Sequence, residues 1–384
     1  MSPSGPFWQP PRRADDTHLP AQVDVVVIGG GLTGAAIARR LVAEHTSVVV
    51  LERDRPASGA SGRNAGFLLT GVAANYASAV RRYGRATAAE IWRFTMANHE
   101  LFAAAIEGDR AGYRRHGSWV LPASAEERAE LEESVQLLGE DGFPGEWRDA
   151  APRSGSGFTG GLLNPFDGEV EPAAAVSAMA RSLPVSTGAE VLAIEPGRGG
   201  VRVHLAAGEI AASRVVVATN GYTHRLLPGV AIRPVRAQML ATAPVGEQLT
   251  DRPVYSDFGY RYWRQLGDGR VLLGGFRNTA VDAEVGDDDT PTAAVQDRLD
   301  EHLQALGVDA PVTHRWAGTM GFSPDELPIV GAVSGMPGVF VCGGYSGHGL
   351  GFALGCAAAL VDSWASAPIP AWLDSARFAP AART

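Results

Sequence analysis

The stretch Asp24-Val-Val-Val-Ile28-Gly29-Gly30-Gly31-Leu32-Thr33-Gly34, continued by Ala35-Ala-Ile-Ala-Arg-Arg-Leu-Val-Ala-Glu44 and Ser47-Val-Val-Val-Leu51-Glu52-Arg53, decides the fold. An apolar, β-branched run that ends in glycine fits a strand buried on both faces. Leu32, Ala35, Ile37, Ala38, Leu41 and Val42 then recur at near-helical spacing, and a second β-branched run ends on an acid. The pattern is a βαβ unit of about 30 residues with Gly29, Gly31 and Gly34 at dinucleotide fingerprint positions. Gly29 permits the tight turn out of the strand. Gly31, without a β-carbon, lets a pyrophosphate approach the backbone, and Gly34 lets the helix lie close to the sheet. The helix N-terminus offers free N–H groups and a positive dipole end. Glu52, about 23 residues past Gly29, is placed to accept from a ribose 2′-OH, and its charge opposes a 2′-phosphate. NADP is thereby disfavoured, while NAD and the ADP half of FAD stay equivalent.

Outward from this unit, the 384 residues suggest two domains or one large α/β domain with an insertion. A net charge of −9 argues against a nucleic-acid or anionic-membrane partner. Every one of the basic Lys+Arg residues is arginine, so no Schiff base and no lysine general base is available. The two cysteines, Cys342 and Cys356, form no CxxC pair and predict neither a disulfide framework nor a zinc site, which fits a reducing, cytoplasmic setting. Met1 to Pro20 is read as a tail without a signal core, and no run of about 18 apolar residues predicts a membrane span.

After Arg53, the segment Ser58-Gly-Ala-Ser61-Gly62-Arg63-Asn64-Ala65 is small, flexible and carries one cation. It leaves a strand at the end where ligands of such sheets bind, and predicts a second cofactor cradle with Arg63 at a phosphate. Helices are predicted over 86–107, over 125–138 with Ser124 as N-cap and Glu127 at capping-box spacing, over 173–183 behind Pro172, and over 295–306. Strands are predicted at 119–121, 160–163, 189–194, 201–205, 214–219 and 238–242. A hairpin 260–264/270–275 turns at Gly267-Asp-Gly269. Asp287-Asp-Asp289 reads as a solvated acidic loop. Near the C-terminus a strand, Val339–Cys342, runs into Gly343-Gly-Tyr-Ser-Gly347-His348-Gly349-Leu350-Gly351 and then a small-residue helix, Phe352 to Ala365, which again aims a helix N-terminus at an anion.

Taken together, Val25–Arg53, Gly59-Ala-Ser-Gly-Arg-Asn64, Val216-Val-Ala-Thr-Asn-Gly221, Trp316-Ala-Gly318 with Asp325-Glu-Leu-Pro-Ile329, and Gly344-Tyr-Ser-Gly-His-Gly349 resemble the D-amino-acid-oxidase-type FAD oxidoreductases, the DAO superfamily. Within it, the chain looks most like the gamma-glutamylputrescine-oxidase-like branch. The resemblance implies an α/β, Rossmann-like FAD-binding domain (21–83, 156–231 and 313–384) with an inserted α+β, mixed-sheet substrate domain (84–155 and 232–312) and an N-terminal tail (1–20). By the same resemblance Gly29, Gly31, Leu32, Thr33 and Gly34 meet the FAD pyrophosphate. Glu52, Arg53 and the Val191 backbone take the adenosine end. Ser58, Ser61, Gly62, Arg63, Asn64 and Ala65, with Ala218 and Thr219, line the middle. Gly344, Tyr345, Gly347, His348, Gly349 and Leu350 face the flavin ring. The family's flavin-bonding cysteine near Gly318 and Thr319 is missing, which implies non-covalent FAD. The arginine that glycine oxidase carries near Met320 is missing too, which weakens an α-amino-acid substrate.

The reaction this implies is two-electron oxidation of an amine or amino-acid C–N bond, with the imine hydrolysed afterwards and electrons passed to O2 or another acceptor. His348 is the titratable group in the flavin-facing turn, with a pKa class suited to proton handling. Strand alternation puts Tyr260, Tyr262 and Arg264 on one face over the ring, where Arg264 is placed to hold a carboxylate if it points inward. An NAD-dependent dehydrogenase and a flavin-binding partner subunit without its own amine chemistry stand as alternatives.

Overall fold

The computed structural model describes residues 5–8, 19–106, 111–150, 152 and 160–378. Among these residues, two eight-stranded sheets and one three-stranded sheet carry the fold. In the first, Val185–Ser186, Val48–Leu51, Gln22–Ile28, Gly208–Val217 and Val339–Gly343 run parallel in that order, and Ile329–Ala332 closes the edge antiparallel. A meander, Val191–Gly197 and Gly200–Leu205, pairs with the early part of Gly208–Val217. The run Val25-Val-Val27 is fully buried because both sheet faces are covered. Val25 and Val27 meet the helices Leu32–Ala43 and Gly349–Ser363, while Val26 and Ile28 meet Val203, Val215 and Val339.

The second sheet is ordered Val312–Phe322, Arg233–Thr242, Val271–Gly275, Arg261–Gln265, Val254–Ser256, Ser118–Leu121, Gly161–Asn164, Glu146–Arg148. All pairs are antiparallel except Val254–Ser256 with Ser118–Leu121. The predicted hairpin is present, closed by Leu266 N–H donating to Arg270 O at 2.8 Å. Its alternation is as expected. Trp263 is buried on one face with Val295, Leu299 and Leu303 of the helix Ala293–Ala305, and Tyr262 packs on the other.

The helices lie near their predicted places, at Arg85–Ala105, Ala125–Glu140 and Pro172–Ala180. The last helix begins at Gly349 rather than Phe352, which makes His348 its N-cap. The helix Tyr76–Tyr83 is not among the elements predicted above. Two strands that the sequence groups with the nucleotide-binding part, Gly161–Asn164 and Val312–Phe322, pair instead in the second sheet. The second of these is eleven residues long and pairs with Arg233–Thr242 along its whole length. The stretch read as a tail holds a docked piece. Trp8 is buried, its Nε1–H donates to Asn64 O at 3.1 Å, and Phe7 packs edge-on against Trp8 and His314. Residues 1–4 and 9–18 lie outside the described residues.

Candidate active site

A cavity of about 910 Å³ takes walls from both large sheets. At one end stand Glu52, Arg53, Val191 and Tyr222. In the middle are Gly31, Ser61, Asn64 and Thr219. At the far end are Tyr255, Tyr260, Tyr262, Arg277, Met320 and His348.

The nucleotide end is built by the glycine-rich turn. Gly29 has φ +110, and a β-carbon there would stand 2.8 Å from Ala218 O. A β-carbon on Gly34 would stand 1.9 Å from Gly29 O, so Gly34 sets helix-to-strand contact and is not on the cavity wall. Glu52 Oε2 accepts from Gly30 N–H at 2.6 Å and Oε1 from Asp54 N–H at 2.8 Å. Burial raises the Glu52 pKa, and the two N–H donors work against that rise. The Arg53 guanidinium lies over the Tyr222 ring at 5.3 Å. The helix that starts at Leu32 has no acid in its first turn, and Ser61 Oγ accepts its first N–H at 2.9 Å. A β-carbon on Gly31 would stand 2.9 Å from that oxygen, so the space beside the helix N-terminus exists only because residue 31 is glycine. This acid-free helix end, with Glu52 directly after the neighbouring strand Val48–Leu51, fits the ADP half of FAD.

The loop 58–66 differs from its reading at two residues, Arg63 and Gly62. Arg63 is engaged with protein: Nε–H donates to Ser58 O at 2.8 Å, Nη1–H to Ala317 O at 2.9 Å, and Nη1 pairs with Asp289 at 2.6 Å. It lines the cavity, but its guanidinium clamps the loop to the second sheet. Asn64 braces the loop from inside, donating to Ala60 O and Ser61 O and accepting from Gly66 N–H. Gly62 is buried, with a hypothetical β-carbon 2.1 Å from Ala57 O, and lies off the wall. The acidic run is likewise not simply solvated. Asp287 pairs with Arg225 at 2.7 Å and His224 at 3.3 Å, and Asp289 lines the cavity while holding Arg63.

At the far end, the Tyr345 hydroxyl shares a 2.8 Å hydrogen bond with Thr33 Oγ1 and lies 3.5 Å from Cys342 Sγ, tying the C-terminal turn to the first helix. Gly344 N–H donates to Asn220 Oδ1 at 3.0 Å, and Gly344 is off the wall. Tyr345, Gly347, His348, Gly349 and Leu350 are on it, as are Leu32, Thr33, Ser58, Ala65 and Ala218. His348 Nδ1 and Ser346 Oγ are buried polar atoms with no partner among the described residues, a further place where a polar heterocycle fits. Burial lowers the His348 pKa to about 4. Burial thus favours the neutral form of the ring. It lies nearly parallel to the Tyr255 ring, with centroids 6.0 Å apart.

Tyr260 and Tyr262 are in the wall as predicted. The phenol end of Tyr262 lies against Gly274, and burial pushes its hydroxyl up to about 12. Arg264 is not in the wall. Its Nη1–H donates to Val170 O at 3.1 Å, Glu169 Oε2 is 3.4 Å away, and the Trp8 ring covers it at 5.3 Å. Burial lowers its pKa to about 10. Alternation set its face correctly, but the 66–67 and 169–170 segments seal that face beyond Tyr262.

The cation at this end is Arg277, which sequence reading did not single out. It lies over the rings of Tyr260 and Phe322 at 4.7 Å each, and among the described residues it pairs with no carboxylate. Tyr255 and Phe67 were missed as well; with Tyr262 they form an aromatic corner, ring centroids 5.4 to 6.2 Å apart. The sequence signal for Arg277 was its place two residues after the Gly274-Gly275 strand end.

Residues 24–363 match the family described as DAO, FAD dependent oxidoreductase. A probable oxidoreductase, OrdL, of Rhizobium meliloti is 30% identical over 373 residues, covering 87% of this chain and 81% of its own. Gamma-glutamylputrescine oxidoreductase of Escherichia coli is 28% identical, covering 85% and 80%. Among solved structures, glycine oxidase from Geobacillus kaustophilus superposes with a TM-score of 0.78 at 22% identity, over 95% of this chain and 100% of that one. L-proline dehydrogenase from P. horikoshii gives 0.77 at 22% identity, over 94% and 98%. These superpositions show a shared fold.

Proposed function

The chain belongs to the DAO family of FAD-dependent oxidoreductases, and from that premise we propose that it oxidises the C–N bond of a primary or secondary amine that carries a carboxylate. The observation that carries the substrate class is Arg277, a guanidinium facing the cavity between two aromatic rings without an acid partner among the described residues. Such a group binds a carboxylate through paired N–H donors.

Bound FAD would supply the two-electron oxidant that accepts a hydride from the substrate α-carbon, and water would hydrolyse the resulting imine to a carbonyl and an amine. The chain's own residues do the rest. Phe67, Tyr255 and Tyr262 exclude water from the amine and favour its uncharged form. Arg277 holds the carboxylate and so fixes the α-carbon. Neutral His348 offers a ring nitrogen for hydrogen bonding, and the helix that begins at Gly349 brings positive potential to the wall. Glu52 and the Gly29–Gly31 turn hold the nucleotide end. Cys342 and Cys356 are free, buried and off the cavity wall, which supports non-covalent FAD and a cytoplasmic location. The division into an FAD-binding part and a substrate part belongs to the same proposal, with Val312–Phe322 on the substrate side. The family match removes the NAD-dependent alternative.

The test is an absorbance spectrum of the purified protein, heat release of its flavin, and anaerobic titration with primary and secondary amines. Releasable FAD bleached by a carboxylate-bearing amine is the expected result. Flavin that stays oxidised with every amine points to the partner-subunit alternative.

A further inference from the structure

The turn between strands Val254–Ser256 and Arg261–Gln265 holds three consecutive residues in the left-handed region: Asp257 at φ +57, Phe258 at φ +53 and Gly259 at φ +81. Two of them carry side chains, and L-residues adopt that region at a cost. The compensating contact comes from a different element. Glu127, fully buried in the first turn of Ala125–Glu140, accepts from Phe258 N–H with Oε1 at 2.6 Å. Its Oε2 accepts from Asp257 N–H at 3.1 Å and from Ala123 N–H at 2.7 Å. Half of the predicted capping box is present, with Ser124 Oγ accepting from Glu127 N–H at 3.1 Å. The other half is shifted: the Glu127 carboxylate reaches back to Ala123 N–H rather than to Ser124 N–H, and also across to the turn. No cation pairs with Glu127 among the described residues, so three backbone amides carry its charge.

The turn ends in the substrate end of the cavity. Phe258, Gly259 and Tyr260 line it, and Tyr260 N–H donates to Asp257 O at 2.9 Å. Phe276 N–H in turn donates to Tyr260 O at 2.7 Å, and the next residue, Arg277, lies over the Tyr260 ring. One contiguous set of bonds thus runs from Glu127 through Asp257, Phe258 and Tyr260 to Arg277.

We propose that Glu127 is a positioning residue for the substrate end: it holds the 257–259 turn in its left-handed form and thereby sets where Tyr260 and Arg277 stand for a carboxylate. This rests on the reading of Arg277 above.

The experiment uses the FAD-loaded full chain and its E127Q variant. Glutamine keeps one acceptor oxygen and turns an N–H₂ toward the amides. Two readouts are taken: hydrogen exchange at the 257 and 258 amides, and the Kd of acetate and benzoate from perturbation of the flavin spectrum. Exchange at both amides is expected to rise by about tenfold or more, with carboxylate Kd about tenfold weaker and FAD affinity unchanged. E127Q/D257G is expected to recover part of the carboxylate affinity, because glycine adopts positive φ freely. If E127Q does not accumulate folded, E127D is read the same way, with a smaller shift. Wild-type exchange rates at Asp257 and Phe258, or an unchanged carboxylate Kd, overturn the proposal. So does an equal loss of FAD affinity, which marks general unfolding. If no carboxylate perturbs even the wild-type flavin, the Arg277 reading fails by itself, and exchange at the two amides alone decides on Glu127.

Discussion

The Arg277 guanidinium lies 4.7 Å from the centroid of the Tyr260 ring, stacked on it and on Phe322 rather than bonded to an acid. Replacing it by methionine keeps the stem and removes the fork. R277M is expected to lower kcat/KM for carboxylate-bearing amines about 10- to 100-fold, mostly through KM, and to leave amines without a carboxylate nearly unchanged. R277K should recover little, since an ammonium does not reproduce the paired donors. Steady-state kinetics on matched substrate pairs decides this, and an equal loss for both members of a pair would contradict it.

Gly274 makes room for Tyr262. A β-carbon there would stand 2.3 Å from the ring. G274A is therefore expected to drive the phenol into the cavity, raise KM about tenfold and cost about 1–3 kcal/mol of stability. Adding Y262A should restore KM toward that of Y262A alone. Unfolding curves and KM for the three variants give the answer, and a G274A enzyme with wild-type KM contradicts the geometry.

Much of this architecture was readable from local pattern. The βαβ unit, the hairpin and the glycine-rich C-terminal turn are each specified within a few residues by periodicity and glycine placement. What the sequence did not show depends on distant segments. Alternation gave Arg264 the right face, yet the cover that removes it from the cavity comes from Val170, Glu169 and Trp8. The Asp287–Asp289 run looked like a solvated loop because its partners, Arg63 and Arg225, lie elsewhere in the chain. His348 has an ordinary titration range in sequence and loses it through burial. The strand Val312–Phe322 carries no mark of which sheet it joins until Arg233–Thr242 pairs with it.

The acidic strap gives a third prediction. Asp289 and Asp287 tie the second sheet's loop to Arg63 and Arg225, both on the cavity wall. These pairs are partly exposed, so each contributes at most about 1 kcal/mol. D287N/D289N is expected to release FAD up to about fivefold faster, and to lack the acceleration by salt expected of the wild type. Stopped-flow transfer of FAD to an excess apoflavoprotein measures both. Equal rates and equal salt slopes in the two proteins would contradict the strap.

Asp167 supplies a pH prediction. It is buried and accepts from Thr70 N–H, Thr70 Oγ1–H and Ser118 Oγ–H at 2.6 to 2.8 Å, yet burial dominates and raises its pKa from 3.8 to about 6. The folded state thus binds more protons than the unfolded state between about pH 4 and 6, and this residue's contribution to stability falls as pH rises through that window. Above about pH 6 the loss is complete, at about 3 kcal/mol. D167N removes the slope. Urea unfolding of both proteins from pH 4 to 8 should show the variant gaining on the wild type up to about pH 6 and then running parallel. A constant difference across the range would contradict the assignment.

The most direct measurement is the rate of anaerobic flavin bleaching by paired substrates, each an amine with a carboxylate and the same amine without it. The account predicts bleaching by a carboxylate-bearing member at a rate constant per concentration at least about tenfold above its partner, with one carbonyl product formed per flavin reduced. Bleaching at equal rates by both members would contradict the role of Arg277, and no bleaching by any pair would contradict amine oxidation itself.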